Sequence, residues 1–290
     1  MAANQPQQQD DDDDDIAAEP TKIFLPHSSQ SHLQNGFSHS PPRNGTVDQP
    51  VDQRHYLPSI PSTILIRQLP SQGLSFQLWP AATSLVALLD HHRRVSATCP
   101  LSPIISAFSR GPDRPLKILE LGSGTGLVGI AAALTLGATV TVTDLPHVVP
   151  NLQFNADANA GELALHGGTL RVEPLRWGEE ADVEGIGRDF DLVLASDVVY
   201  HDHLYDPLIK TLHLLLCGAD KEKEKKEEQE MVFVMAHLKR WKKEAAFFNR
   251  ARKLFDVDVI HVDKPCEGSR VGVKVYRFTR KGQRLAQKKC

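Results

Sequence analysis

Apolar and polar residues alternate along TILIRQL at 63–69, and again along Leu74-Ser75-Phe76-Gln77-Leu78 after the turn-forming PSQG. A period of two marks a strand with one covered face, so the two runs predict a β-hairpin. Trp79-Pro80 follows. Proline suits the first turn of a helix, which predicts a helix from Ala81 to about His91. Residues 96–115, with four prolines, read as a loop. Beyond them, strand-like and helix-like patterns take turns. Leu116–Leu121 is a strand, Leu127–Leu136 a helix stopped by Gly137, and Thr139–Thr143 a strand closing on Asp144. Pro146 opens a helix to about Asn159, closed by Ala160-Gly161, and Leu170–Leu175 is a strand ending in Arg176-Trp177-Gly178. FDLVLA at 190–195 is almost continuously apolar, as in a central strand covered on both faces. A helix over Leu204–Cys217, a strand over Met231–Ala236 and an amphipathic helix over Trp241–Leu254 come next, the last with Ala245, Phe248, Arg252 and Phe255 at helical spacing. Asp256–Val262 and Val271–Phe278 are the final strands.

Strands alternating with helices and then two final strands predict an α/β fold. The expected form is a Rossmann-like, seven-stranded, mostly parallel twisted sheet with helices on both faces. One antiparallel strand lies near its C-terminal edge, and the hairpin precedes it.

Composition sets the limits of that domain. Residues 1–58 are rich in Gln, Asp, Ser, Pro and Asn and carry six consecutive aspartates, Asp10 to Asp15. Such a stretch buries too little apolar surface to offset its ordering entropy, so it is expected to be a disordered acidic tail. It has neither the apolar core of a secretory signal nor the arginines of a transit peptide. Residues 59–280 then form the domain, with ADKEKEKKEEQE at 219–230 as a charged loop insert and 281–290 as a basic tail. No apolar run is long enough to span a bilayer, so no membrane association is expected. The four cysteines, Cys99, Cys217, Cys266 and Cys290, are scattered without CxxC spacing, which suggests reduced thiols in a cytoplasmic or nuclear protein. The thirteen histidines show no HExxH, and no metal site is expected. A formal net charge of −3 makes no case for nucleic-acid binding.

The candidate chemistry sits at strand ends, because an open parallel sheet binds ligands beyond the carboxyl ends of its strands. Glu120-Leu121-Gly122-Ser123-Gly124-Thr125-Gly126 is a glycine-dense turn between a strand and a helix. It can be spelled two ways. Gly122, Gly124 and Gly126 form GxGxG after the acidic Glu120. Gly124, Gly126 and Gly129 form GxGxxG, the dinucleotide fingerprint, with Asp144 about 20 residues on. Both spellings let backbone approach a ligand closely, and both use an acidic residue to accept from ribose hydroxyls. They differ in that a dinucleotide brings a pyrophosphate to the helix N-terminus, whereas S-adenosylmethionine has no phosphate. The other strand ends, Asp144-Leu145, Arg176-Trp177 and Ser196-Asp197-Val198-Val199-Tyr200, are polar or aromatic too.

ILELGSGTGLVGI, VTDLP followed by NLQFNADAN, RWGE, FDLVLASDVVY and LWPAA at 78–82 together resemble the seven-β-strand S-adenosylmethionine-dependent methyltransferases. More narrowly they resemble the methyltransferase-like protein-lysine methyltransferases, across about residues 62–280. The resemblance implies S-adenosyl-L-methionine as cofactor and a protein substrate such as a chaperone, an ATPase or an elongation factor; separately, a monomer is expected. It implies that Gly122, Ser123 and Gly124 let the backbone approach the amino-acid end of the cofactor, that Asp144 holds the ribose, that Trp177 flanks the adenine and that Trp79 walls the pocket. Glu120, the acidic residue before the turn, is a further expected cofactor-binding residue. Ser196 stands where relatives often carry alanine. Asp197 and Tyr200 are the implied catalytic pair beside the transferred methyl.

The chemistry of the residues agrees. Displacement at a sulfonium methyl mainly needs a neutral amine held in line, and a nearby cation and burial both favour the neutral form of a lysine. Asp197 and Tyr200 can accept from that amine. His201 and His203 are set aside as solvent-exposed. Three alternatives stay open: a small-molecule N-methyltransferase on the same cofactor, an inactive cofactor-binding interaction module, and an NAD(P) oxidoreductase.

Overall fold

Residues 49–109, 111, 114–218, 231–265 and 270–282 are described by a computed structural model. The chain begins with a two-stranded antiparallel sheet, β1 (Val51–Leu57) against β2 (Ser62–Gln68). Helices α1 (Pro80–Arg94) and α2 (Ser102–Phe108) follow. The main sheet is built from β3 (Lys117–Leu121), β4 (Thr139–Asp144), β5 (Thr169–Pro174), β6 (Leu192–Ser196), β7 (Val232–His237), β8 (Phe255–Val262) and β9 (Lys274–Arg280). Between its strands run α3 (Leu127–Leu136), α4 (Val149–Ala158), α5 (Ala160–Leu165), α6 (Glu180–Ile186), α7 (Tyr205–Cys217) and α8 (Ala245–Leu254). The strand order is β5-β4-β3-β6-β7-β9-β8; β9 pairs antiparallel with both neighbours, and the other pairings are parallel. The expected sheet, with one reversed strand next to its C-terminal edge, is the one found.

Strand period explains the two-sided core. In β6, Leu192 and Leu194 face one hydrophobic cluster while Val193 and Ala195 face the other. In β7, Val232, Val234 and Ala236 join the first cluster, and Phe233 and Met235 the second. Successive side chains point to opposite faces, so a continuous apolar run is what a doubly covered strand requires. The first cluster takes in α1, α2 and α3, and the second α7 and α8.

The hairpin departs from the expectation. Its strands are 51–57 and 62–68, so residues 51–57, assigned above to the tail, are β1. VDQRHYL escapes a hydrophobicity reading because most of its positions are exposed or half-exposed. Leu74–Phe76 is a 3-10 turn rather than a strand, with the Leu69 N–H donated to the Phe76 carbonyl at 2.9 Å. The second edge of β2 is taken by side chains of α4 and its C-cap residue instead. Asn159 accepts from the Leu65 N–H at 2.9 Å and donates to the Leu65 carbonyl at 2.8 Å. Asn155 does the same with Arg67 at 2.8 and 3.1 Å, and Asn151 accepts from Arg67 Nε at 2.8 Å. Three short helices, α2, α5 and α6, fall where loops or breaks were expected. Asp10 to Asp15, the 219–230 insert, Cys266, Cys290 and the tail beyond 282 lie outside the described residues.

Candidate active site

Strand order reverses between β3 and β6, since β3, β4 and β5 run one way across the sheet and β6 and β7 the other. The crevice beyond the carboxyl ends of β3 and β6 is where such a sheet binds a ligand. The glycine turn occupies it. Gly122 and Gly124 adopt φ of 61° and 56°, left-handed values costly for any side chain. Space forbids a side chain as well: a Cβ on Gly122 would lie 2.8 Å from the Trp177 ring, and one on Gly124 would lie 3.0 Å from the Ser75 carbonyl. Gly129 has another reason. Its Cβ would collide with Val142 on β4, so this glycine lets α3 sit close to the sheet.

Two acidic groups brace the turn. Asp144 accepts from the Gly124 N–H at 2.7 Å through Oδ2 and from the Leu145 N–H at 2.7 Å through Oδ1. A carboxylate offers about four acceptor positions, so each oxygen keeps one. Burial raises the Asp144 carboxyl above its usual range, against these bonds and the His147 charge. Glu120, fully buried, accepts from the Gly129 N–H at 2.9 Å through Oε2. This bond satisfies a donor in the first turn of α3 that the helix itself leaves unpaired. Its Oε1 has no partner. Burial pushes Glu120 up to about 8; bonds from Ser123 and Gly129 oppose the shift and Asp144 adds to it. Ser123 ties β3 to β4, donating its N–H to the Thr143 carbonyl at 2.9 Å and accepting from the Thr143 N–H at 3.1 Å.

The aromatic walls come from three elements. Trp177 follows β5, half-buried over Gly122, and the next N–H, that of Gly178, is donated to Thr211 Oγ1 on α7 at 2.8 Å. Trp79 caps α1 and donates Nε1–H to the Leu74 carbonyl at 2.9 Å. Tyr200 is half-buried beyond β6, with its hydroxyl pKa raised by burial and then by the Asp144 charge. The His201 ring lies 4.8 Å from Tyr200 and stacks on His203 at 5.4 Å, and both imidazoles are exposed. Ser196 ends β6, paired with Ala236 of β7.

Asp197 stands differently from the open acceptor expected of it. Oδ1 accepts from the Leu238 N–H at 2.9 Å and Arg240 Nη1 at 3.2 Å. Oδ2 accepts from the Ala81 N–H at 3.3 Å and Arg240 Nη2 at 3.0 Å. Four donors fill the carboxylate, which fastens the turn. Three residues absent from the sequence reading complete this corner. His237, at the end of β7, pairs through Nε2 with Glu244 at 3.0 Å, and its Nδ1 is 3.7 Å from Asp197, beyond hydrogen-bond reach. Glu244 also accepts from the Arg240 N–H at 3.1 Å. The signal that finds His237 is the rule already used for the other strands, carried on to the end of β7, whereas Arg240 and Glu244 lie beyond that strand end. No group of three or more metal-ligating side chains is found among the described residues.

A family model described as lysine methyltransferase matches residues 60–254. The chain belongs to the lysine methyltransferase family. Among its relatives, "Protein-lysine methyltransferase METTL21E" of Bos taurus is 36% identical over 173 residues, 59% of this chain and 53% of that protein. "EEF1A lysine methyltransferase 3" of Mus musculus is 44% identical over 147 residues, 50% of this chain and 52% of that protein. METTL21E of Mus musculus is 27% identical over 273 residues, covering 88% and 98%. The chain thus spans about half the length of the first curated relatives it matches. The lysine methyltransferase match includes β2 through α8, and every predicted site residue lies within it.

Proposed function

We propose that the protein transfers a methyl group from S-adenosylmethionine to a lysine side chain of a protein substrate. The observation that carries the cofactor in this reading is the glycine turn with its two buried carboxyl groups, and the lysine methyltransferase match over residues 60–254 supports the acceptor. Gly122 leaves no room for a Cβ under Trp177, Asp144 keeps acceptor positions at the end of β4, and Glu120 Oε1 is unpartnered. A cofactor with an ammonium, a sulfonium and ribose hydroxyls brings donors for those acceptor positions and cations that favour the ionised form of Glu120. A pyrophosphate does not: Glu120 already takes an N-terminal donor of α3, and a phosphate would stand beside two buried carboxyl groups.

When bound, the sulfonium supplies an electrophilic methyl group whose carbon–sulfur bond breaks as the new bond forms. The protein's part is alignment. Gly122, Ser123 and Gly124 bring backbone close, Asp144 accepts from ribose hydroxyls, and Trp177, Trp79 and Ser196 bound the pocket. Tyr200 faces the acceptor amine and orients its lone pair, while Asp197 holds the turn that presents Tyr200. Holding a neutral amine in line supplies about 7–11 kcal/mol of a barrier without a strong base.

For the acceptor we propose an elongation factor as the first protein to test, since one relative is named for it. Titration calorimetry with S-adenosylhomocysteine should show binding to the intact protein and none to Asp144→Ala. Incubation with methyl-labelled cofactor and the elongation factor, or a lysate lacking this protein, should label a protein band at lysine. Labelled small molecules with no labelled protein would sink the protein-lysine reading.

A further inference from the structure

We propose that Arg240 is a positioning residue of the methyl-transfer site, holding the Asp197 turn that carries Tyr200 while bracing the Trp79 wall. The proposal rests on the functional reading above, and it concerns a residue that no strand-end pattern singled out. Asp197 has a φ of +53°, left-handed for a residue with a side chain, and such a conformation persists only where its surroundings over-determine it. Two of its four donors are neutral backbone N–H groups, from Ala81 and Leu238. The other two are the fork of Arg240, which meets both carboxylate oxygens at 3.2 and 3.0 Å. The same guanidinium lies 5.0 Å from the centre of the Trp79 ring and donates to the Leu238 carbonyl at 3.1 Å. Its own main chain is pinned by buried Glu244, which His237 also holds. One side chain therefore touches the start of α1, the end of β6 and the end of β7. Tyr200 sits three residues beyond the clamped aspartate, so its direction follows from how that turn is held.

A lysine at 240 would keep the charge but not the planar fork or its stacking on an indole. Hydrogen–deuterium exchange on Arg240→Met and Arg240→Lys, with calorimetry using S-adenosylhomocysteine, tests the assignment. In both variants, amides of residues 197–204 should exchange about tenfold faster or more, while those of 131–143 stay unchanged. The dissociation constant for S-adenosylhomocysteine should rise about threefold or more, the factor a lost cation–π brace corresponds to. Arg250→Ala, which breaks an exposed ion pair with Asp206, should change neither. Unaltered exchange at 197–204, or exchange faster by the same factor everywhere, would overturn the role of Arg240. Should Arg240→Met not fold, Arg240→Lys carries the same comparison. Lack of binding by the wild-type protein would instead overturn the functional reading, so the two failures are told apart.

Discussion

Glu120 is where a single residue makes the largest electrostatic statement. Its carboxyl titrates at about 8 in the fold against an ordinary 4.5. Between those values the folded protein holds a proton that the unfolded chain has already released. Stability therefore falls as pH rises from about 4.5 through 8, by on the order of a few kcal/mol. Asp144, also raised by burial, contributes in the same direction. Thermal midpoints measured from pH 5 to 8 should decline in the wild type and decline less steeply in Glu120→Gln, whose amide oxygen can still accept from Gly129. An equal slope in both would show that the decline comes from other groups. Gly122→Ala makes a steric statement at the same turn. A left-handed alanine costs about 1–2 kcal/mol, and its methyl would press on Trp177 and Val198. Both a lower melting midpoint and weaker S-adenosylhomocysteine binding are expected, read by calorimetry on the one variant.

At the scale of elements, α4 joins two parts of the molecule that would otherwise only be neighbours. Fully buried Asn155 bonds both backbone groups of Arg67 on β2 and also donates to the Thr125 carbonyl in the glycine turn at 2.9 Å. Asn155→Ala leaves those buried groups without partners and should cost on the order of 3 kcal/mol, measured by chemical denaturation. A change below about 0.5 kcal/mol would mean that solvent replaces the bonds. These asparagines also mark what the sequence could and could not show. Helix Leu127–Leu136 and the strand closing on Asp144 were legible because their apolar pattern and glycine stop are local. The NLQFNADAN helix was legible, but its docking was not, since the partners of Asn155 and Asn159 lie 88 and 94 residues away. Leu74–Phe76 misled because alternation over five residues fits a strand as well as the short turn that runs past Gly124. Asp197 misled for a similar reason, its four donors coming from distant residues.

Across the whole molecule, one sheet with two apolar faces carries both the stability and the site. Phe233 on β7 is fully buried and packs on Phe278 with ring centres 5.0 Å apart; β6 separates its strand from β3, and Phe233 lies near the start of β7, at the opposite end from His237. Phe233→Ala should cost about 3–5 kcal/mol by denaturation and leave the S-adenosylhomocysteine affinity of the folded protein within about twofold, since distant sites act independently. A large loss of affinity would mean that the core and crevice are coupled. The strand ends were readable because topology collects them at one crevice whatever lies between. His237 at the end of β7 was readable by that same rule, whereas Glu244 and Arg240, whose fork reaches back 43 residues to Asp197, needed the fold itself. The asparagine contacts carry one more consequence, in the manner of a ruler laid along the hairpin. Four residues of helix rise about 6.0 Å and two residues of strand about 6.6 Å, so Asn155 and Asn159 match Arg67 and Leu65 notch for notch. A slip of one residue would break every notch and turn Ile64 and Ile66 out to water. The hairpin can seat in only one place, and the segment it leads into is thereby delivered to the rim of the cofactor crevice at a fixed length of chain.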